Sequence, residues 1–272
     1  MIKALFFDLD GTLLSSSKTI LPSAREALTA CRAQGVQVYF ATARSARLDR
    51  MLGWTDAEYA LFDGGSFCNG ACMQMRGETC YAFIDPTAVQ DVLAAVKEHP
   101  GVHLSLHMPQ EVHAFNYRLP DAALAPWGLT REEIAVIDDN AVQSATKLLV
   151  FHDDLVNTDR LLPPGLFAML QERCGSRANI YLTDQGRTIQ VVPLTAGKVA
   201  AIERMRQSLG LETDEIAVFG DDINDLEMLT RYPHSVAMGN GAQAVRTAAA
   251  YVTHGNDDDG IAYALRQLLR II

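Results

Sequence analysis

Two aspartates follow directly after the first apolar segment of the chain. Residues 1–7 are mostly apolar and lead into Asp8-Leu9-Asp10-Gly11-Thr12. A short apolar run closed by a glycine turn is typical of a parallel strand that is buried on both faces. Two carboxylates so close together at its end repel each other unless a cation or a shared proton relieves them. The pattern therefore favours a metal or ligand site over a simple Asp-Gly turn.

A second acidic cluster follows an apolar segment near the end of the chain. Residues 215–219 lead into Gly220-Asp221-Asp222, and Asp225 lies four positions after Asp221, close to it if a helix begins there. Like charges at this density favour a hard divalent cation, and Mg²⁺ takes oxygen ligands and commonly pairs with a substrate phosphate. Helix capping is the alternative explanation, and it suits Asp222 better than Asp221.

Two further polar residues are candidates for a phosphate site. Thr42 follows the apolar segment 36–41 and precedes a predicted helix, so its hydroxyl and the nearby amides could hold phosphate oxygens. Capping of that helix explains Thr42 equally well. Lys198 stands at the start of another predicted helix, where a lone lysine is normally solvated. Together with the carboxylates it becomes a candidate to neutralise a phosphoryl group or a nucleophilic aspartate.

The elements that must position these residues alternate between strands and helices. Short apolar runs predict strands, and amphipathic stretches between them predict helices. The predicted strands are residues 1–7, 36–41, 59–62, 215–219, 235–238 and 251–253. The predicted helices are residues 22–34, 195–209 and 226–232. Repeated strand-helix-strand units predict an α/β fold with a doubly wound, Rossmann-like parallel sheet, whose carboxyl edge binds ligands.

The middle of the chain has a different pattern. Segments with period-two alternation, such as 102–107, are interspersed with helical stretches. Such alternation is typical of half-exposed antiparallel strands. We therefore predict a discontinuous α/β core formed by residues 1–84 and 192–272, with an inserted α+β domain formed by residues 85–191.

Taken together, the motifs resemble those of the haloacid dehalogenase-like phosphatases. The matching fragments are Asp8-Leu9-Asp10-Gly11-Thr12, Phe40-Ala41-Thr42-Ala43-Arg44, Lys198, and the stretch from Gly220-Asp221-Asp222 through Asn224 and Asp225 to residue 229. Segments 237–240 and 251–253 resemble the Cof-like branch, which carries a type IIB α/β cap between the second and third motifs. The resemblance covers the whole chain, strongly over the core and weakly over the cap, and implies that the inserted domain is such a cap.

The resemblance implies a role for each motif residue. Asp8 would be the nucleophile that forms an aspartyl-phosphate, and Asp10 would be the general acid and base. Asp225 would orient a metal-bound water or Lys198. The Mg²⁺ ligands would be the Asp8 carboxylate, the Asp10 backbone carbonyl and Asp221. The phosphoryl oxygens would be held by Leu9, Thr42, Ala43, Lys198 and Asn224.

One position departs from the family pattern. The residue after the threonine of the second motif is usually glycine, whereas this chain has Ala43. An alanine with a positive φ would cost on the order of 1 kcal/mol. We expect Ala43 to have an ordinary helix-start conformation and no loss of activity to result.

The function that the resemblance implies is Mg²⁺-dependent hydrolysis of small phosphorylated metabolites, with sugar phosphates as the expected class. A sugar phosphomutase on the same scaffold is the alternative enzyme. It would need a basic cluster in the cap to hold a second phosphate, and the cap segment has only scattered lysines and arginines. A phosphate-binding module without turnover is a further alternative, against which the intact Asp8 and Asp10 argue.

Composition restricts the partners. The chain has 33 acidic and 23 basic residues and a net charge of −10, which argues against nonspecific binding to nucleic acid or to an anionic membrane. No apolar run approaches the roughly 18 residues of a membrane span, and no signal-like segment is present. The five scattered cysteines are expected to be free thiols. We therefore expect a cytoplasmic protein; nothing in the sequence indicates its oligomeric state.

Residues in or near the predicted cap are weaker candidates. His103 and His107 share a strand face and His113 is nearby, so they could face a substrate or bind a metal. Half-exposed strand residues are the simpler explanation. The candidates for contacting the leaving group are Asn69, Arg118 and Lys147.

Overall fold

The computed structural model describes residues 1–152 and 160–272, which divide into two compact units. The first unit consists of Met1–Arg44, Leu52–Cys80 and Gly197–Ile272. The second consists of Ser45–Met51 and Tyr81–Ala196. The domain bounds derived from the sequence stay a prediction. The second unit includes a short segment that is separated from the rest of it along the chain.

Strands and helices alternate along much of the chain. The strands are β1 (Ala4–Phe7), β2 (Gln37–Ala41), β3 (Gly64–Phe67), β4 (Cys72–Met75), β5 (Glu78–Tyr81), β6 (Val102–His107), β7 (His113–Phe115), β8 (Ile134–Ala135), β9 (Lys147–His152), β10 (Ala178–Thr183), β11 (Thr188–Pro193), β12 (Ile216–Gly220), β13 (His234–Ala237) and β14 (Tyr251–Val252). The α-helices are α1 (Pro22–Ala33), α2 (Leu48–Leu52), α3 (Asp56–Tyr59), α4 (Pro86–Lys97), α5 (Asp121–Leu124), α6 (Asp139–Gln143), α7 (Leu166–Cys174), α8 (Lys198–Leu209), α9 (Leu226–Arg231), α10 (Gln243–Ala248) and α11 (Gly260–Tyr263). Single-turn 3₁₀ segments include Cys68–Gly70, Pro109–Glu111 and Ile223–Asp225.

The first sheet has the strand order β14-β13-β12-β1-β2-β3-β4-β5. Its strands run parallel from β14 to β3, and β4 is antiparallel to β3. Side chains of α8, α9 and α10 pack against Phe6, Tyr39 and Val218 in one apolar cluster. The predicted doubly wound parallel sheet is confirmed.

Parallel pairing brings three strand ends to one edge of this sheet. β1 pairs with β2 on one side and with β12 on the other. All four side chains of β1 are buried, which accounts for its uninterrupted apolar sequence. The first residues beyond the three strands are Asp8, Thr42 and Asp221, so they lie at the same edge.

One predicted strand is wrong. Residues 59–62 contain the end of α3 and a turn, and β3 begins only at Gly64. Thr55 and Glu58 form a capping box that starts α3, so local hydrogen bonds favour a helix just before the apolar residues. The actual strand contains two glycines, which give no strand signal because they have no side chain to pack.

The second sheet has the strand order β10-β11-β9-β6-β7-β8. It is antiparallel except for the β7–β8 pair. Buried residues of α4 and α7 share one apolar cluster with the sheet, which confirms the predicted α+β character of this unit. Among the helices in residues 1–152 and 160–272, none has both the length and the apolar character to cross a bilayer.

His107 and His113 form a buried pair in the second unit, so the expectation of half-exposed strand residues is wrong for them. Nδ1 of His107 lies 3.1 Å from Nε2 of His113, whose Nδ1 lies 3.0 Å from the carbonyl oxygen of Glu111. Because a carbonyl only accepts, His113 donates at Nδ1 and, when neutral, accepts at Nε2. Burial lowers the pKa of both imidazoles, that of His113 to about 4, and repulsion from Lys147 and Arg47 acts in the same direction.

We expect this pair to make the protein less stable in mild acid. The pKa of His113 is about 4 in the folded chain and 6.5 in an unperturbed one. Between these values the unfolded state binds more protons, so stability falls as the pH falls. The loss from His113 should reach about 3 kcal/mol near pH 4.

Urea denaturation between about pH 7.5 and about pH 4.5 measures the effect. The side chain of Gln in His113→Gln offers a hydrogen-bond donor and an acceptor but does not titrate. Over this fall in pH the free energy of unfolding of the variant should decrease by on the order of 2 kcal/mol less than that of the wild type. His99→Gln, which removes a partly buried histidine of the same unit, is the control and should follow the wild type. Equal acid losses in wild type and His113→Gln would contradict the prediction.

Candidate functional site

Lys198 lies between two carboxylates at the carboxyl edge of the first sheet. Its Nζ donates to Oδ1 of Asp8 and to Oδ1 of Asp225, each at 2.6 Å. The side chain of Lys198 is 3% exposed and that of Asp225 is 0% exposed, so solvent screens these ion pairs little. Burial alone would lower the pKa of Lys198, but the two carboxylates outweigh it and the pKa is raised. Lys198 is thus a buried cation and not the solvated lysine that its segment alone suggests.

Donors approach both oxygens of Asp225. Oδ1 accepts from Lys198, and Oδ2 accepts from the backbone N–H groups of Asp221 at 3.0 Å and Asp222 at 3.2 Å. These contacts suit a residue that fixes Lys198 better than a metal ligand. The carboxylate of Asp222 accepts from the backbone N–H of Ile223 at 2.7 Å, which confirms the capping role expected for it.

Asp221 packs against the turn that follows Asp8. Its Oδ1 accepts from Oγ1 of Thr12 at 2.6 Å, which fixes the orientation of the carboxylate. Gly11 has a φ of +79°, and a Cβ at this position would lie 2.3 Å from Oδ2 of Asp221. Only glycine meets both requirements, the left-handed backbone and the close approach to the carboxylate.

The carboxylates of Asp8, Asp221 and Asp225 are close enough to surround a cation. One oxygen from each lies within 4.8 Å of the others, and over the described parts of the chain no other group of three potential metal ligands occurs. Burial raises the pKa of Asp8, opposed by Lys198 and reinforced by the neighbouring carboxylates. Burial also raises the pKa of Asp221, to about 6. Three carboxylates face one ammonium group, so a divalent cation with oxygen ligands fits the site by charge and by donor type.

Asp10 has different partners. Nε of Arg44 donates to its Oδ2 at 2.6 Å, and Nη2 of Arg44 donates to its Oδ1 at 2.7 Å. Nζ of Lys18 also donates to Oδ1, at 2.8 Å. Burial alone would raise the pKa of Asp10, but these donors outweigh it and the pKa is lowered. These contacts therefore favour the ionised form of Asp10 and fix the orientation of its carboxylate.

The segment after β2 is held by backbone hydrogen bonds. The N–H of Thr42 donates to the carbonyl of Ser66 at 2.9 Å, and its carbonyl accepts from Asn69 at 3.0 Å. Oγ1 of Thr42 accepts from the N–H of Arg44 at 3.1 Å, and the Arg44 carbonyl accepts from Cys68 at 2.8 Å. Cys68 and Asn69 have φ values of 50° and 52°, which cost on the order of 1 kcal/mol each. The hydrogen bonds to the Thr42 segment offset this cost.

The other predicted residues lie in varied surroundings. The Leu9 side chain is fully buried, so only its backbone could bind phosphate. Ala43 is not among the residues with positive φ, which confirms the ordinary conformation expected for it. Asn224 is exposed on the turn Ile223–Asp225. In the second unit Arg118 is exposed and Lys147 is buried.

Three residues beside the acidic groups received no role from the sequence. Thr12 and Arg44 stand inside the first two motifs, and this position is a sequence signal that they lie beside the acidic groups. Lys18 gave none, because the hydroxyl-rich stretch around it looks like an ordinary solvated turn.

Comparison with known proteins identifies the family. A family model described as haloacid dehalogenase-like hydrolase matches residues 5–265. The chain belongs to the haloacid dehalogenase-like hydrolases. A relative from Haemophilus influenzae, assigned as a phosphatase, is 28% identical over 274 residues, which cover 98% of each chain.

Two further relatives agree with this assignment. The 5-amino-6-(5-phospho-D-ribitylamino)uracil phosphatase YwtE of Bacillus subtilis is 25% identical over 300 residues, with 98% of each chain covered. A solved structure described as a subclass IIB sugar phosphatase of the same superfamily has a TM-score of 0.76 and is 25% identical, covering 99% of this chain and 100% of its own. This hydrolase is therefore a phosphatase, and its fold with an inserted cap is that of the family.

We expect Gly11→Ala to inactivate this phosphatase by displacing Asp221. The new Cβ would meet Oδ2 of Asp221 at 2.3 Å, so the carboxylate would have to move. A displacement of this size at a charged site should reduce activity on the order of a hundredfold. Gly35→Ala is the matched control, because Gly35 has a φ of +83° and nothing lies within 4 Å of its added Cβ. The control should lose about 1 kcal/mol of stability and keep its activity; similar activity in both variants would contradict the prediction.

Asp225→Asn should destabilise the hydrolase by removing the anchor of Lys198. Donors approach both oxygens of Asp225, whereas an amide has a single acceptor oxygen and must leave one side unpaired. We expect a loss of about 3–5 kcal/mol in the free energy of unfolding. Asp222→Asn, at an exposed capping residue, should lose less than about 1 kcal/mol. Chemical denaturation compares the two variants, and equal losses would count against the anchoring role.

Proposed function

We propose that this phosphatase hydrolyses small phosphorylated metabolites, sugar phosphates in particular, with Mg²⁺ and through an aspartyl-phosphate on Asp8. The main support is the buried contact of 2.6 Å between Asp8 and Lys198, beside Asp221. A carboxylate nucleophile needs positive charge around it to accept a phosphoryl group. The ammonium group of Lys198 supplies one positive charge beside Asp8, and a cation between Asp8 and Asp221 would add to it. The name of the Bacillus subtilis relative and the description of the subclass IIB sugar phosphatase support a small phosphorylated substrate.

In the first half-reaction Asp8 attacks phosphorus. An oxygen of Asp8 forms a bond to phosphorus while the bond from phosphorus to the leaving alcohol oxygen breaks. Asp10, which first takes up a proton from solvent, donates it to that oxygen, so the product leaves as a neutral alcohol. The phosphoryl oxygens are held by Lys198, the Thr42 hydroxyl, the Asn224 side chain and the backbone N–H groups of Leu9 and Ala43.

In the second half-reaction water attacks phosphorus and releases Asp8. Asp10, now ionised, accepts the proton of the attacking water. The contacts with Arg44 and Lys18 stabilise this ionised form. Inorganic phosphate leaves, and Asp8 returns to its contact with Lys198.

The metal would be held by the carboxylates of Asp8 and Asp221 and by the backbone carbonyl of Asp10. When bound, Mg²⁺ supplies positive charge to the phosphoryl group. It also stabilises the ionised form of the buried carboxylates, which burial alone disfavours. Asp225 would keep Lys198 in place and would not bind the metal.

The test is phosphate release from sugar phosphates, nucleotides and other phosphomonoesters, with Mg²⁺ and with EDTA. We expect Mg²⁺-dependent release, fastest from sugar phosphates. Asp8→Asn should abolish release and remain folded, while Asp222→Asn keeps the activity. Release that survives EDTA would exclude the metal, and near-normal rates in Asp8→Asn would exclude the nucleophile. Phosphate that binds without being released would favour the binding module.

A further inference from the structure

Asp10 is held by two cations, of which Arg44 is the stronger anchor. Arg44 contacts both carboxylate oxygens, and its side chain is 19% exposed. Lys18 contacts only Oδ1 and is 51% exposed, so water screens and competes with that contact. A bidentate guanidinium fixes the plane of a carboxylate, whereas an ammonium acts as a point charge.

The backbone of Arg44 is itself fixed. Its N–H donates to the hydroxyl of Thr42, and its carbonyl accepts from the N–H of Cys68. The side chain that holds Asp10 therefore starts two residues from Thr42, the residue proposed to hold the phosphoryl group. Arg44 connects the phosphate-binding segment with the acid-base residue over one short rigid stretch of chain.

The backbone around Asp10 is held independently. Nδ2 of Asn240 donates to the carbonyl of Gly11, and Nδ2 of Asn256 donates to the carbonyl of Leu14, each at 2.8 Å. The backbone N–H of Ser16 donates to the Asp257 carboxylate at 2.8 Å. With the main chain anchored in this way, rotation of the Asp10 side chain is the remaining freedom, and Arg44 is placed to restrict it.

The contacts also distinguish the two oxygens of Asp10. Each carboxylate oxygen has about two acceptor sites. Oδ1 accepts from Arg44 and from Lys18, which occupies both. Oδ2 accepts from Nε of Arg44. Arg44 is thus the residue that contacts both oxygens and sets the plane of the carboxylate.

We propose that Arg44 is a positioning residue that fixes the Asp10 carboxylate relative to the Thr42 segment. The inference rests on the proposed phosphatase mechanism. In the first half-reaction Asp10, protonated beforehand from solvent, gives that proton to the leaving alcohol oxygen as the bond from this oxygen to phosphorus breaks. In the second half-reaction Asp10 takes a proton from the attacking water as the bond from phosphorus to Asp8 breaks.

The dependence of kcat/KM on the leaving group distinguishes a positioning role of Arg44 from a purely structural one. The alkoxide of an alkyl phosphate is a poor leaving group and needs the proton, whereas p-nitrophenolate leaves as an anion. The ratio kcat/KM reports the steps up to departure of the leaving group. A misplaced acid therefore lowers kcat/KM for an alkyl phosphate much more than for p-nitrophenyl phosphate. A loss of folded protein or of phosphate binding lowers both equally.

The experiment measures kcat/KM on two substrates for wild type, Arg44→Ala and Arg44→Lys. The alkyl phosphate is whichever of glucose 6-phosphate, fructose 6-phosphate and glycerol 3-phosphate the wild type hydrolyses fastest, and the aryl phosphate is p-nitrophenyl phosphate. In Arg44→Ala we expect a fall on the order of a hundredfold for the alkyl phosphate and less than about tenfold for the aryl one. Arg44→Lys should restore part of the alkyl activity. Arg50→Ala, which removes an exposed arginine paired with Glu133, should leave the ratio unchanged.

A double-variant comparison gives a second readout. In an Asp10→Asn background, Arg44→Ala should cause little further loss on p-nitrophenyl phosphate, because the residue through which Arg44 acts is already removed. An unchanged alkyl-to-aryl ratio in Arg44→Ala, or the same loss factor in both backgrounds, would overturn the inference. If Arg44→Ala does not fold, the ratio in Arg44→Lys decides in the same way. Failure of the proposed function is recognised separately, by wild-type protein that releases no phosphate or by an active Asp8→Asn variant.

Discussion

The first unit depends on one buried cation between two buried carboxylates. Lys198 at the start of α8 bonds to Asp8 after β1 and to Asp225 after β12. Three segments that are far apart in the chain thus meet at one charge. Removing a single partner would leave an uncompensated charge in a region with little water, which costs more than the ion pair gains. With Asp221 added, negative charge remains in excess, so a cation with oxygen ligands fits the site.

Two aspartates only two residues apart have opposite surroundings. Asp8 is buried among carboxylates, and its pKa is raised. Asp10 is 37% exposed and lies between Arg44 and Lys18, and its pKa is lowered. In an extended strand two residues so spaced would share a face, but β1 ends at Phe7 and Leu9 lies in a turn, so the two side chains have different neighbours. Proteins give neighbouring acids different roles by placing them in environments that shift their pKa values in opposite directions.

Part of the site could be predicted because local chemistry determines it. The buried strands show as apolar runs, and parallel pairing places the residues that follow them, Asp8, Thr42 and Asp221, at one edge. The strand predicted at 59–62 was wrong because a capping box begins a helix just before it, and β3 was missed because its glycines give no strand signal. The burial of His107 and His113 was missed because an alternating strand pattern does not show which face of the strand another element covers.

The sequence by itself determined the order of the motifs, the parallel core, the inserted α+β unit and the acidic character of the site. These follow from hydrophobic periodicity and from residue types that few structures other than a ligand site tolerate. Only the tertiary structure decided which partner each charge has: Lys198 on Asp8 and Asp225, Thr12 on Asp221, Arg44 and Lys18 on Asp10. The physical reason is that ion pairing depends on distances of a few ångströms between side chains, and the folded backbone sets those distances.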